Sequence, residues 1–245
     1  MNDERGVSDL VAFVLMFGII IMSVATVYMF GFDNIRELRD GEQVRSIDRT
    51  MEGVSDTIAD VHRENAPSRT IAVGLDGGTI SVTEKSQLTI VVNTTSGNMS
   101  YPVDTGALVF RPNDKAEMVY EGGITYRTQD SGQYVLSDPV ISCDGETAIV
   151  DVPRVTGRLS LSAPGTIELT GRHVSEQSLY PSAGQLADNA TAVEIQIDET
   201  RNPDAWRQYF ETSPDGWTET SDGYRCSGLN GVSVQTTTIS LHAIY

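Results

Sequence analysis

The residues with chemical potential are few and dispersed. His62, His173 and His242 stand singly, none at metal-ligand spacing from another histidine or a cysteine, so no zinc site is expected. The chain has no nucleophile elbow of the form G-x-S-x-G, no phosphate-binding P-loop and no G-x-G-x-x-G after a strand. No catalytic residue and no cofactor is therefore assigned. Asp198-Glu199 with Asp204, and Asp215 with Glu219 and Asp222, offer the oxygen ligands that calcium prefers. In a chain with 34 acidic residues such groupings arise readily, and solvated loops are the expected reading.

The clearest chemistry belongs to three asparagines. Asn93-Thr94-Thr95, Asn98-Met99-Ser100 and Asn189-Ala190-Thr191 each form an acceptor sequon for N-glycosylation with no proline in the middle. The first two fall within six residues of one another, in a Ser/Thr/Gly-rich turn expected to be exposed. Cys143 and Cys226 are the only cysteines, and they permit either one disulfide in an exported domain or two buried thiols.

These groups need a scaffold, and the 245 residues allow one membrane-spanning segment plus one sizeable outer domain. Acidic side chains outnumber basic ones by 34 to 17, a formal charge of −17. Such a surface repels polyanions, which excludes nucleic acid as a partner and disfavours anionic headgroups. Only Lys85 and Lys115 of the bases are lysines. Scarce lysine beside abundant Asp, Glu and Arg resembles the proteins of extreme halophiles, where concentrated salt shortens the Debye length and relieves self-repulsion.

The amino terminus carries the strongest pattern. Leu10 to Phe32 is an uncharged run of 23 residues. At 1.5 Å per residue it reaches about 34 Å, enough for a bilayer core of about 30 Å. A conventional signal peptide would cut after Ser23-Val24-Ala25, but it needs a basic n-region and a shorter apolar core. Here Asp3 and Glu4 precede Arg5, and uncharged, mostly apolar sequence continues past Ala25. Arg5-Gly6 followed by Val7-Ser8-Asp9 and the apolar run instead resembles the class III signal of archaeal type IV pilin-like proteins. That resemblance implies cutting between Gly6 and Val7 by a prepilin-type peptidase, leaving the helix as anchor. The Glu that bacterial pilins carry at the fifth mature position is replaced here by Val11.

Beyond Phe32 the chain becomes charged. Val44, Ile47, Met51, Val54, Ile58 and Val61 recur at spacings of three and four, one stripe of an amphipathic helix. The stripe packs either under the protein's own β domain or against neighbouring subunits. Ile35 and Leu38 fall out of register, so a kink or stutter is expected near Gly41. Pro67 ends the helix, with Asn65 as its cap.

From Ser68 onward, short β-type runs are broken by Gly, Asn, Asp and Pro. Asp76-Gly77-Gly78, between two alternating runs, reads as the turn of a hairpin. Ten or more strands at this spacing predict a β-sandwich or related antiparallel fold, interrupted by a short helix near Asp204 to Phe210.

The expected fold is α+β: a long N-terminal membrane-spanning helix continuing into an amphipathic stalk helix, then a mainly antiparallel β-sandwich-like head. The expected segments are a leader (1–6), a transmembrane helix (7–32), a stalk (33–66) and an extracellular β domain (67–245). The first 80 residues together resemble a haloarchaeal pilin-like membrane protein family. The resemblance implies a non-enzymatic, single-pass surface protein with its amino terminus in the cytoplasm, an accessory or structural subunit of a pilus-like filament. Its partners would then be the membrane, the prepilin-type peptidase and like subunits. The alternative is a tethered β domain that never polymerises and binds a ligand, the cell wall or a surface partner.

Overall fold

The computed structural model describes residues 4–63, 66–129, 132–182, 190–213 and 216–244, without the side chains of residues 4–9 and 30–46. The chain divides into two compact units, Met1–Ser46 and Ile47–Tyr245. Helix α1 runs over Glu4–Arg63.

In the first unit, Leu10–Met29 is long and apolar enough to cross a membrane, and all its side chains are exposed. Two of its hydroxyls are satisfied within the helix. Ser23 Oγ donates to the Ile20 carbonyl at 2.8 Å and Thr26 Oγ1 to that of Met22 at 2.7 Å, so neither needs water. The side chains of Ile35, Leu38 and Val44, and the kink expected near Gly41, lie outside the described residues, as does the cap expected at Asn65.

The second unit is the head. Its strands begin with β1 (Ser68–Gly74), β2 (Thr79–Thr83), β3 (Gln87–Thr94), β4 (Gly97–Asp104), β5 (Ala107–Asn113), β6 (Ala116–Glu121), β7 (Ile124–Gln129) and β8 (Gly132–Ser137). They continue with β9 (Val140–Cys143), β10 (Thr147–Thr156), β11 (Ser160–Ser162), β12 (Thr166–Tyr180) and β13 (Ala190–Glu199). After helix α2 (Pro203–Thr212) come β14 (Thr218–Glu219), β15 (Gly223–Ser227) and β16 (Gly231–Ile244).

Three sheets result, ordered β1-β12-β16-β10-β9, β11-β2-β5-β6-β7-β8 and β14-β15-β13-β3-β4. Pairing is antiparallel except between β10 and β16, which run parallel from Thr147↔Gly231 to Thr156↔Ser240. The period-2 pattern turns Leu88, Ile90 and Val92 of β3, and Ala148, Val150 and Val152 of β10, into one core. Burial of such side chains contributes roughly 1.5–3 kcal/mol each.

The helical stripe is buried as well. Ile47, Met51, Val54, Ile58 and Val61 are all buried by the head, Met51 and Val54 completely. Gly53 lets Ile71 of β1 approach closely: a Cβ there would stand 3.0 Å from its terminal methyl. Polar ties flank the stripe, with Asp48 paired to Arg127 of β7 and Ser55 hydrogen-bonded to Ser137 of β8 at 3.3 Å.

One local expectation is corrected. Asp76 and Gly77 do adopt positive φ, 46° and 92°, and Gly78 N–H donates back to Leu75 at 2.7 Å. The flanking strands nonetheless do not pair with each other: β1 pairs with β12, and β2 with β5 and β11. The turn carries the chain from one sheet to the next. It is held there by Leu75 and Gly77 N–H groups donating to the carbonyls of Gly165 and Ala163.

The short helix is α2, one residue longer at its start and two at its end than the sequence suggests. Asn202 caps it, its side chain accepting from Asp204 N–H, and Pro203 occupies the first turn where a missing N–H costs nothing. Ala205, Trp206, Tyr209 and Phe210 form its buried face.

Candidate functional site

The sequence-predicted groups are spread over the molecule. Arg5, Gly6 and Val7 lie in the first turn of α1, their side chains outside the described residues. Asn189 also lies outside them. Asn93 and Asn98 are brought together, paired across the β3–β4 hairpin, with Asn93 Nδ2 donating to Asn98 Oδ1 at 2.8 Å. Cys143 and Cys226 are joined in a disulfide, Cα to Cα 6.1 Å, that ties β9 to β15 across 83 residues.

No group of three or more His, Cys, Asp or Glu capable of holding a metal occurs among the described residues. The first acidic grouping is otherwise engaged: Asp198 accepts from Thr89 Oγ1 at 2.6 Å, and Asp204 pairs with Arg207 at 2.7 Å. His62 is buried with its Nε2 2.8 Å from Asp151 Oδ2, an ion pair whenever the ring is protonated. This pair links the last turn of α1 to β10. Beside it burial, opposed by Arg63, holds the Tyr120 phenol above its ordinary range.

Two polar features went unmarked in the sequence. The first is Glu121, completely buried at the end of β6. Its carboxylate accepts from Ser86 Oγ at 3.0 Å, Trp206 Nε1 at 2.9 Å and Thr200 Oγ1, and Ser86 Oγ in turn accepts from Thr105 at 2.8 Å. A buried carboxylate so supplied with donors is a fastening between sheet, loop and α2. It lines neither of the two hollows beside α2, and it is read as structural.

The second is an open polar groove beside α2. Two hollows of about 570 and 300 Å³ share Thr128 and Asn202 in their walls. In the smaller one, Arg111 and Arg201 grip the same carboxylate, Glu117, at 2.6 and 2.8 Å, with Lys115 on the rim. Hydrogen bonding to Glu117 raises the already high pKa of Arg201. Gln133, Gln208 and Arg207 line the larger hollow. The four cations stand beside four carboxylates, Asp114, Glu117, Asp204 and Glu211, so the groove is of mixed charge, with amides suited to hydrogen-bonding a polar ligand. The only sequence signal was Lys115 itself, one of two lysines.

A family model described as "Family of unknown function (DUF7289)" matches residues 5–244. The chain belongs to this family. The DUF7289 match takes in both the apolar stretch and the β head. The chain is also similar to an uncharacterised protein of Archaeoglobus fulgidus, 21% identical over 271 residues, covering 91% of this chain and 89% of the relative. No solved structure matches.

Proposed function

We propose that this DUF7289 member is a pilin-like, single-pass surface protein, with its amino terminus in the cytoplasm and its β head outside. The observation that carries the reading is the division of labour within α1. Leu10–Met29 is apolar on every side and exposed, whereas Ile47–Val61 presents one apolar stripe that its own head buries. An all-round apolar helix of that length finds its solvent in lipid or in a bundle of like helices. A disulfide in the head fits an oxidising exterior, and the archaeal relative fits an archaeal system. The acidic, lysine-poor composition favours a saline setting.

Under this reading, processing falls between Gly6 and Val7. The intact mass of the membrane-extracted protein is compared with and without a prepilin-type peptidase. The expected product starts at Val7, and Gly6→Val leaves the full-length chain in the membrane. A mature chain starting at Thr26 overturns the assignment in favour of an ordinary signal peptide.

The polar groove beside α2 favours a second reading, a tethered head that binds a polar ligand and never polymerises. Unprocessed chain, or processed chain that stays monomeric in native membranes, would select it.

A further inference from the structure

We propose that Asn98, and not its neighbour Asn93, is the N-glycan acceptor of this hairpin. The inference rests on the head facing outside, and it is carried by an asymmetry between two sequons that look equivalent as sequence.

Asn93 belongs to β3, which is paired on both sides, with β13 and with β4. Its side chain is partly buried, its Oδ1 is enclosed, and its Nδ2 is committed to Asn98. Attaching a sugar there would require the hairpin to open. Its sequon hydroxyl, Thr95, sits past the strand in the two-residue turn.

Asn98 is exposed, on β4, the outermost strand of its sheet. Successive side chains of a strand alternate between faces, so Asn98 and Ser100 share one face. The burial pattern of β4 places both, with Pro102 and Asp104, on the exposed side, while Val103 faces the core. Of the two, only the Asn98 sequon therefore offers its amide and its hydroxyl together on an open surface. The Asn98 Oδ1 accepts from Asn93, which leaves the Asn98 Nδ2 unengaged among the described residues.

The reaction needs a glycosyl donor in which C1 of a sugar is esterified to a lipid phosphate. The Asn98 Nδ2 attacks C1, an N–C bond forms, and the C1–O bond to phosphate breaks. The lipid phosphate departs with the electron pair, and one amide proton passes to a base on the transferase. The product amide keeps its Oδ1, so the hydrogen bond from Asn93 survives modification. A glycan at this point also covers the unpaired edge of β4 and blocks edge-to-edge strand addition.

Both sequons fall in one tryptic peptide, Ser86–Lys115, since the Arg111–Pro112 bond resists trypsin, and it does not contain Asn189. The full chain is made in an archaeal host that N-glycosylates, and this peptide is mapped in wild type, Ser100→Ala and Thr95→Ala. Thr95 and Ser100 are both exposed, so each variant removes one sequon without disturbing either asparagine or the core. The expected result is one glycan in wild type and in Thr95→Ala, and none in Ser100→Ala. A glycan lost in Thr95→Ala but kept in Ser100→Ala, or glycans on both asparagines, overturns the proposal. In a parallel sample of intact cells, a membrane-impermeant amine reagent reports whether Lys85 and Lys115 face outside. A bare peptide with both lysines reachable defeats the glycan assignment and leaves the surface reading standing. Lysines that stay unreachable defeat the surface reading and the assignment with it.

Discussion

Helix α1 holds two stretches of different composition and opposite circumstances. Leu10–Met29 carries no charge and is exposed all round, whereas Ile47–Val61 has every stripe residue buried and Arg49, Glu52 and Asp56 exposed. The same backbone hydrogen bonding serves both, and the content and arrangement of side chains decide which solvent each requires. A stripe of apolar residues is enough when a β head supplies the other wall. An unbroken apolar circumference calls for lipid or like helices on all sides. One substitution, placed in turn in each stretch, should therefore have opposite readouts.

The largest effect is expected at the stripe. Val54→Asp sets an unpaired carboxylate in a fully buried position and should cost more than about 4 kcal/mol of head stability, seen as lost cooperative unfolding in detergent. Ile19→Asp, in the exposed stretch, should leave the head's melting unchanged and cost about 2.5–3.5 kcal/mol of membrane insertion. Equal effects on head melting would erase the distinction.

The disulfide gives the next largest. Removing it as the double variant Cys143→Ser, Cys226→Ser should destabilise the head by about 2–5 kcal/mol. Both sulfurs are buried in the core, so part of the loss is packing. Retention in the membrane should be unaffected, and release of the chain from membranes would count against independent roles for the two stretches.

The smallest effect lies at the same corner of the head. Asp144 is held below the usual carboxylate range, first by the Thr147 N–H and then by the Thr147 hydroxyl, at 2.7 and 2.9 Å. A depressed folded pKa means that its contribution is full above the unfolded value of about 4 and fades as pH falls through the folded one. Protection of the Glu146 and Thr147 amides, corrected for the intrinsic pH dependence of exchange, should thus fall on acidification through that window, with the pattern across Leu10–Met29 unchanged. The side chain is exposed, and the effect should stay local.

Legibility in the sequence followed the range of the interactions. The stripe and the apolar run were readable because spacing and length are local signals, and α2 was placed to within two residues of its ends while its Asn202-Pro203 start went unread. The Asp76-Gly77 turn was readable as a turn but not as a crossing between sheets, because the partners of β1 and β2 lie far along the chain. The parallel β10–β16 pair spans more than 80 residues, and no turn announces it. Glu121 looks like any surface acid before a Gly-Gly turn. Its burial depends on Trp206 and Thr200, about 80 residues on. Similarly, Asn93 and Asn98 are indistinguishable as sequons, and only strand order separates the enclosed one from the open one.

The central claim, that the apolar part of α1 crosses the membrane with the head beyond it, meets its most direct test in the scarcity of amines. The chain has two lysines, Lys85 and Lys115, both exposed on the head, and an amino terminus at the other end of the apolar run. Intact cells are treated with a membrane-impermeant amine reagent, and the labelled positions are mapped by mass spectrometry. Labelling of Lys85 and Lys115 with an unlabelled amino terminus is predicted, the terminus becoming reactive only after the cells are opened. Lysines that react only in opened cells, or an amino terminus labelled from outside, would contradict the account.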